Sequence, residues 1–143
     1  MPPRKTAAAR KVAPKAVPKA VPKERKAAPV PDAARPLAML AVEAGLDKKA
    51  ERPTVLDVRG LSSYADYVVL LSADNRRQID AVATEIEARL RQAGVRALGA
   101  EGNGDSGWML LDFADVVVHL FSPEARDFYD LEGLWSDAPR VRV

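Results

Sequence analysis

The sequence predicts one α/β domain, residues 37–143, behind a disordered basic tail, residues 1–36. The domain should hold a mixed sheet of about five strands with flanking helices. Eight of the eleven prolines lie in the first 36 residues, which places the boundary near Pro36. Beyond it, short apolar runs alternate with one strongly amphipathic helix pattern, and the last two runs have the spacing of an antiparallel hairpin.

Net charge divides the chain at the same place. Residues 1–36 hold ten Lys/Arg and two Asp/Glu, a net charge of +8, whereas the remaining 107 residues hold twelve and eighteen, a net charge of −6. The tail is therefore suited to phosphate-rich surfaces, and the acidic domain is poorly suited to enclosing nucleic acid.

The tail contains the repeat VAPKAVPKAVPK at residues 12–23. Proline at every fourth position prevents a helix and favours extended polyproline backbone. Large apolar side chains are absent, so nothing offsets the entropy of ordering. Three interpretations remain open. The tail is a solubilising linker, a non-specific and salt-sensitive contact to phosphate-rich surfaces, or an organelle transit peptide, which the proline spacing disfavours.

Composition excludes several classes of function. The chain has no cysteine, which rules out disulfides and thiolate metal sites, and its one histidine, His119, is too few for most zinc sites. The longest near-apolar run, Tyr67–Leu71, is too short to span a bilayer, and no secretory signal pattern is present. We therefore expect a soluble, cytoplasmic protein with no metal, no cofactor and no membrane contact.

The domain begins with a helix and two strands. Leu37–Ala50 has helical spacing of apolar residues, with Gly45 expected to fray its end. Thr54–Val58 is a short β-branched strand, and Gly60–Asp66 is a turn with hydroxyl side chains. Tyr67–Ser72 is apolar almost throughout, which is typical of a central strand covered on both faces.

The longest helix pattern follows Asn75. Apolar residues recur at helical spacing through Ile79–Leu90, and Gly94 supplies a stop. Asn75 and Gln78 have the spacing of a capping box, in which the side chain of each residue accepts the backbone N–H of the other.

The second half of the domain is mainly strands. We expect a strand over Val95–Ala100 and a polar, flexible loop over Glu101–Gly107. Trp108–Phe113 and Val116–Phe121 form a hairpin through a two-residue connection. Pro123 then opens a short terminal helix.

Alternation makes both hairpin strands apolar on both sides. Trp108, Leu110 and Asp112 share one face of the first strand, and His119 and Phe121 share one face of the second. An uncovered face that carries an indole would be a protein-binding surface. The alternative is that the terminal helix folds over this face and Trp108 belongs to the core. Whether the two sets lie on the same side depends on the cross-strand register, which the sequence leaves open.

Few residues could support catalysis. Asp57, Asp66, Asp112 and Asp115 fall at predicted strand ends, where a divalent cation could gather them. No two of them form a close Asp-x-Asp pair, however, and the turn acids are equally explained as acceptors of backbone N–H groups. His119 lies in mid-strand between apolar neighbours, which favours a hydrogen-bonded core or interface residue over a general base. No glycine-rich nucleotide motif is present.

From Leu37 onward the chain resembles the Iojap family, the bacterial ribosomal silencing factors of the RsfS type. The motifs that carry the resemblance are, in order, LDVRGLSSYADY at 56–67, NRRQ at 75–78, EG at 101–102, WMLLDFADVVVHLF at 108–121 and RDFYDLEGLW at 126–135. Two positions depart from the family pattern: Ala114 stands where glycine is usual, and Asn75 stands where serine is frequent. The tail is not part of the family pattern.

The resemblance implies a fold related to nucleotidyltransferases without their catalytic acids, and so a protein that is not an enzyme. It implies binding to the large ribosomal subunit through ribosomal protein L14, which would sterically block subunit joining and repress translation when nutrients are scarce. It also implies that the free protein forms a homodimer. Family position and strand alternation together place Trp108, Leu110 and His119 at the contact, with Tyr64 and Asp66 at its rim.

Two alternatives stay open at this point. One is residual metal-dependent nucleotidyl transfer that uses Asp57, Asp66 or Asp112. The other is an RNA-binding adaptor whose affinity comes from the basic tail.

Overall fold

The structure, a computed structural model, describes residues 32–143. Within that range, residues 32–61 and 65–143 form one compact unit, and Ser62–Tyr64 are grouped apart from it. The predicted tail, except for its last five residues, lies outside the described part of the chain.

Residues 32–143 form four α-helices and six strands. The helices are α1 Ala34–Asp47, α2 Arg76–Gln92, α3 Pro123–Tyr129 and α4 Leu131–Leu134. The strands are β1 Glu51–Asp57, β2 Tyr67–Ser72, β3 Gly99–Asn103, β4 Trp108–Asp112, β5 Val116–Phe121 and β6 Arg140–Val141.

The six strands form a single sheet in the order β3-β4-β5-β2-β1-β6. The two central strands, β2 and β5, are parallel, and all other neighbouring pairs are antiparallel, so the sheet is mixed as predicted. Every residue of β2 and β5 is buried. Such burial requires cover on both faces of the sheet, which the continuous apolar run of β2 predicted.

Two apolar cores lie on opposite faces of the sheet. Helices α1 and α2 cover the first face, where Ala38, Ala41, Ile79 and Ile86 pack against strand residues such as Val69. The second face carries a smaller core of strand residues, and the C-terminal segment that includes α3 and α4 packs on it. Its buried members are Leu56, Val58, Ala65, Val68, Leu70, Val117, Phe121 and Ala138.

The strand predicted at Val95–Ala100 was wrong in position, and so was the flexible loop at Glu101–Gly107. The strand is β3, Gly99–Asn103, and it is followed by a short 3-10 turn. All five residues of β3 are exposed, so backbone pairing with β4 holds the strand and no apolar alternation marks it. Gly102 is required there, because a Cβ would lie 2.2 Å from the carbonyl oxygen of Trp108.

The sixth strand was also missed. Arg140 and Val141 of β6 pair with Leu56 and Val55 of β1. A strand of two residues is too short to show a period of two, and the expected number of about five strands was therefore one too low.

Helix α1 differs from the prediction at both ends. It begins at Ala34 rather than Leu37, and the carboxylate of Asp32 accepts the backbone N–H of Arg35 at 3.2 Å. The expected fraying at Gly45 is replaced by close packing. A Cβ at this buried position would lie 2.7 Å from Cδ1 of Leu71, so glycine allows α1 to approach β2.

The predicted cap of α2 is half right. The Asn75 side chain accepts the backbone N–H of Gln78 at 2.9 Å. The Gln78 side chain, however, accepts the N–H of Asp74 and donates to the carbonyl oxygens of Lys48 and Lys49. Gln78 therefore ties the start of α2 to the segment that follows α1.

Arg126, on α3, is a buried cation that joins the C-terminal helices to the sheet. Its side chain is 2% exposed and bonds the carboxylate of Glu132 with two of its nitrogens. The guanidinium also donates to the hydroxyl oxygens of Thr54 and Ser72 and to the carbonyl oxygen of Arg52. Strands β1 and β2 and both C-terminal helices thus meet at one side chain.

The hairpin between β4 and β5 turns at Ala114, which has a φ of +73°. The N–H of Asp115 bonds the carbonyl oxygen of Phe113, and the carboxylate of Asp112 accepts the N–H of Ala114. A positive φ combined with a bond between residues two apart describes a γ-turn, which is strained for any residue with a Cβ. Ala114 therefore occupies a position that favours glycine.

Replacing Ala114 with Gly should stabilise the domain by up to about 1 kcal/mol, because strain relief exceeds the entropy gained by the unfolded chain. The measurement is the free energy of unfolding from urea denaturation. Ala100→Gly, at an exposed strand position without a positive φ, is the control and should destabilise. A loss of stability in Ala114→Gly would show that this turn is not strained.

Candidate functional site

The register of the hairpin settles which residues share a face. In the β4–β5 pair, Trp108 lies opposite Phe121 and Leu110 lies opposite His119. Directly paired residues point to the same side of a sheet, so Trp108, Leu110 and His119 lie together on the face away from α1 and α2.

A hydrogen bond to His119 holds the indole of Trp108 in place. Its Nε1–H donates to Nδ1 of His119 at 3.0 Å. Because the indole nitrogen is only a donor, Nδ1 of His119 must be unprotonated, and the ring carries its proton on Nε2. This bond fixes both the orientation of the indole and the tautomer of the imidazole.

His119 itself is buried, with 7% of its surface exposed. Burial lowers the pKa of its imidazole to about 3, since no carboxylate offsets the loss of hydration. The ring is therefore neutral near pH 7 and far from the pKa of an effective general base at that pH. This agrees with a hydrogen-bonded core or interface residue.

An aromatic cluster surrounds the indole. The ring of Trp108 stacks on Phe121 with centroids 5.4 Å apart and contacts Tyr129 of α3 at 4.5 Å. Phe128 meets the ring of Tyr129 edge-on at 5.0 Å. We call these four residues, together with Leu110 and His119, the aromatic face.

The C-terminal helices cover only part of the aromatic face. Trp108 and Leu110 are half-buried, Tyr129 is 38% exposed and Phe128 is 79% exposed. Of the two alternatives that the sequence left open, each describes one part of the face. Phe121 belongs to the core, while Phe128 and the outer parts of Trp108 and Leu110 remain accessible.

Asp66, predicted at the rim, is not brought to Trp108. Its N–H bonds the carbonyl oxygen of Asp115, just before β5, whereas Trp108 pairs with Phe121 at the other end of that strand. The chain from Asp115 to Phe121 spans roughly 20 Å of extended strand. Tyr64 is 37% exposed in the connection between β1 and β2, and its N–H bonds the hydroxyl of Ser62.

Asp57 and Asp112, two of the acids considered for metal binding, are engaged in hydrogen bonds. Both oxygens of Asp57 bond the guanidinium of Arg59, which lowers the pKa of that carboxyl. Asp112 accepts the N–H of Ala114 in the hairpin turn. Across residues 32–143, no group of three or more His, Asp or Glu side chains is arranged to hold a metal ion. The nucleotidyl-transfer alternative therefore gains no support from the geometry.

Sequence reasoning missed the contribution of α3. Tyr129 and Phe128 lie in the RDFYDLEGLW motif, which was used only to recognise the family. A helix of seven residues is too short for its apolar spacing to reveal which side chains face the sheet.

Within residues 32–143, no helix is long and apolar enough to cross a membrane.

The burial of His119 predicts a specific dependence of stability on pH. The folded pKa of about 3 lies below the unfolded value near 6.5, so the contribution is complete above pH 6.5 and is lost as pH falls toward 3. The loss should approach about 1.4 kcal/mol per pH unit. His119→Asn, which keeps an acceptor but does not titrate, should show a shallower decline.

The measurement is the free energy of unfolding between pH 7 and 4 for both proteins, with NMR titration of the imidazole. Because the chain has one histidine, the NMR signals need no assignment. An imidazole that titrates near 6.5 in the folded protein would contradict the buried, neutral state.

Comparisons with known proteins agree with this fold. Residues 31–143 match the family described as ribosomal silencing factor during starvation, RsfS. The ribosomal silencing factor RsfS of Halalkalibacterium halodurans is 38% identical over 107 residues, which cover 75% of this chain and 92% of that protein. RsfS of Bacillus subtilis is 39% identical over 100 residues, 70% of this chain and 85% of that protein.

One solved structure and one further relative extend the comparison. A crystal structure from Chromobacterium violaceum superposes with a TM-score of 0.69 at 37% identity, and covers 71% of this chain and 85% of that one. The chloroplastic protein Iojap of Arabidopsis thaliana is 37% identical over 100 residues, 68% of this chain but 40% of that protein. The chain therefore belongs to the RsfS/Iojap family of ribosomal silencing factors.

Proposed function

We propose that this protein represses translation by binding the large ribosomal subunit through ribosomal protein L14 and blocking subunit joining sterically. The observation that carries the proposal is the half-buried indole of Trp108, held by His119 on an apolar face that the C-terminal helices leave partly open. Large aromatic side chains of this kind are the usual anchors of protein interfaces.

His119 has a positioning role in this proposal. It is too buried to make much of the contact itself, but it fixes the indole that does. Leu110, its direct cross-strand neighbour, extends the contact along β4. Asp66 lies at the opposite end of β5 from the level of the indole, so it would meet only a partner that extends along the hairpin. Tyr64, which is 37% exposed, is proposed as a further contact residue.

Charge favours a basic protein partner over bare RNA. Residues 32–143 hold thirteen Lys/Arg and nineteen Asp/Glu, a net charge of −6. Such a domain attracts the basic surface of a ribosomal protein and is repelled by phosphates. A domain of this size is also about 30 Å across, enough to obstruct the approach of a second subunit.

Two further parts of the proposal concern the tail and self-association. The basic tail adds a non-specific, salt-dependent contact to rRNA, and it does not select the site. The free protein forms a homodimer in the cytoplasm. Neither property requires a cofactor or a catalytic step.

Trp108→Ala should weaken binding to purified large subunits by about 1–2 kcal/mol or more, because truncation removes the anchor of the contact. The measurement is co-sedimentation across a range of protein concentrations. Met109→Ala is the matched control, since Met109 is the next residue of β4 but packs on the helix-covered core. Unchanged binding by Trp108→Ala in a folded protein would remove this face from the interface.

The same proteins should be tested for their effect on subunit joining. Light scattering of mixed subunits, without added nucleotide, should show inhibition by the wild type and by Met109→Ala but not by Trp108→Ala. Deletion of residues 1–31 keeps Asp32, whose carboxylate accepts the backbone N–H of Arg35 in α1, and should reduce binding mainly at low salt. Complete loss of binding on deletion would favour the RNA-adaptor alternative instead.

A further inference from the structure

The most exposed large apolar side chain among residues 32–143 lies beside the aromatic face. Phe128 of α3 is 79% exposed, and its ring contacts that of Tyr129, which in turn packs on Trp108. The three rings therefore form one continuous aromatic strip that runs from the hairpin onto α3. The folded chain gains little from a phenyl ring in this position, since most of its surface stays in water.

The outward charges of α3 are all negative. Glu124 and Asp127 are exposed, and Asp130, which follows the helix, is exposed as well. Glu124 precedes Phe128 by four residues and so lies on the same side of the helix. The helix has one cation, Arg126, which is buried and bonded to Glu132. The exposed Arg52 pairs with Asp127 at 3.4 Å. Among residues 32–143, Glu124 and Asp130 have no such cation beside them.

We infer that Phe128 and the surrounding acids of α3 form a second docking element, continuous with Trp108, for a basic and partly apolar protein surface. The inference rests on the proposed function, in that the occupant is the same large-subunit protein. Phe128 would enter an apolar recess of the partner, while Glu124 and Asp127 would face its Lys and Arg side chains. Interfaces commonly place an apolar anchor within a polar rim whose charges complement those of the partner.

Charge argues against the other occupants of this surface. Phosphates of RNA would meet Glu124, Asp127 and Asp130 directly, and like charges repel. A second copy of the chain with this strip on the twofold axis would bring the same three acids against each other. A basic protein surface is the one occupant whose charge complements the strip.

The test compares single variants of the full chain in binding to purified large subunits and to isolated ribosomal protein L14. Phe128→Ala should weaken binding at least about fivefold, mainly through faster dissociation. Leu98→Ala is the matched control, because Leu98 is 71% exposed but lies beside Asp112, at the opposite end of β4 from Trp108. It should bind like the wild type.

A second pair of variants tests the charges. Glu124→Gln combined with Asp127→Asn should slow association severalfold at low salt, and the difference should disappear at high salt. An unchanged association rate at low salt would exclude the acids from the docking element.

The outcomes separate this inference from the function on which it rests. If Trp108→Ala weakens binding and Phe128→Ala does not, the second docking element is wrong and the proposed interface stands. If neither variant weakens binding, the proposed interface fails as well. If Phe128→Ala disrupts self-association but leaves subunit binding unchanged, the strip is occupied by a second copy and the inference is overturned.

Discussion

The arrangement of the C-terminal half depends on satisfying one buried cation. A guanidinium out of water is tolerated only when its donors are paired, and Arg126 has five N–H groups for five hydrogen bonds. The acceptors come from β1, β2 and the start of α4, which are far apart in the sequence. Moving any of them would leave part of the charge unpaired. The cation therefore specifies where α3 sits on the sheet, and with it where Tyr129 meets Trp108.

The aromatic face and the core are thus built from the same contacts. Trp108 stacks on Phe121, which is fully buried, and bonds His119, which is neutral because it is buried. An imidazole in this state offers one acceptor in a fixed direction, and the indole uses it. A surface aromatic held in this way loses little further conformational freedom when a partner binds, which favours affinity.

The features that the sequence predicted are those with a strong local signal. β2, β5 and the body of α2 have continuous or periodic apolar patterns, and all three lie where expected. The edge strand β3 was misplaced because exposed Gly and polar residues form no pattern, and β6 was missed because it has two residues. The pairing of Leu110 with His119 depends on the register of the hairpin, which a sequence leaves open when both strands are apolar on both sides. The role of Arg126 could not be predicted either, since its acceptors converge only after the sheet has formed.

The parallel pairing of β2 with β5 has a consequence for how the domain forms. Tyr67 cannot pair with Val116 until the residues of α2, β3 and β4, which lie between them, have been synthesised. The outer neighbour of β1 is β6, which consists of Arg140 and Val141. Contacts of this kind have high sequence separation, which slows folding and delays it during synthesis. The centre of the sheet can close only after β5 has left the ribosomal exit tunnel, and the edge at β1 closes later still. A nascent chain therefore cannot complete its sheet until Arg140 and Val141 have left the tunnel.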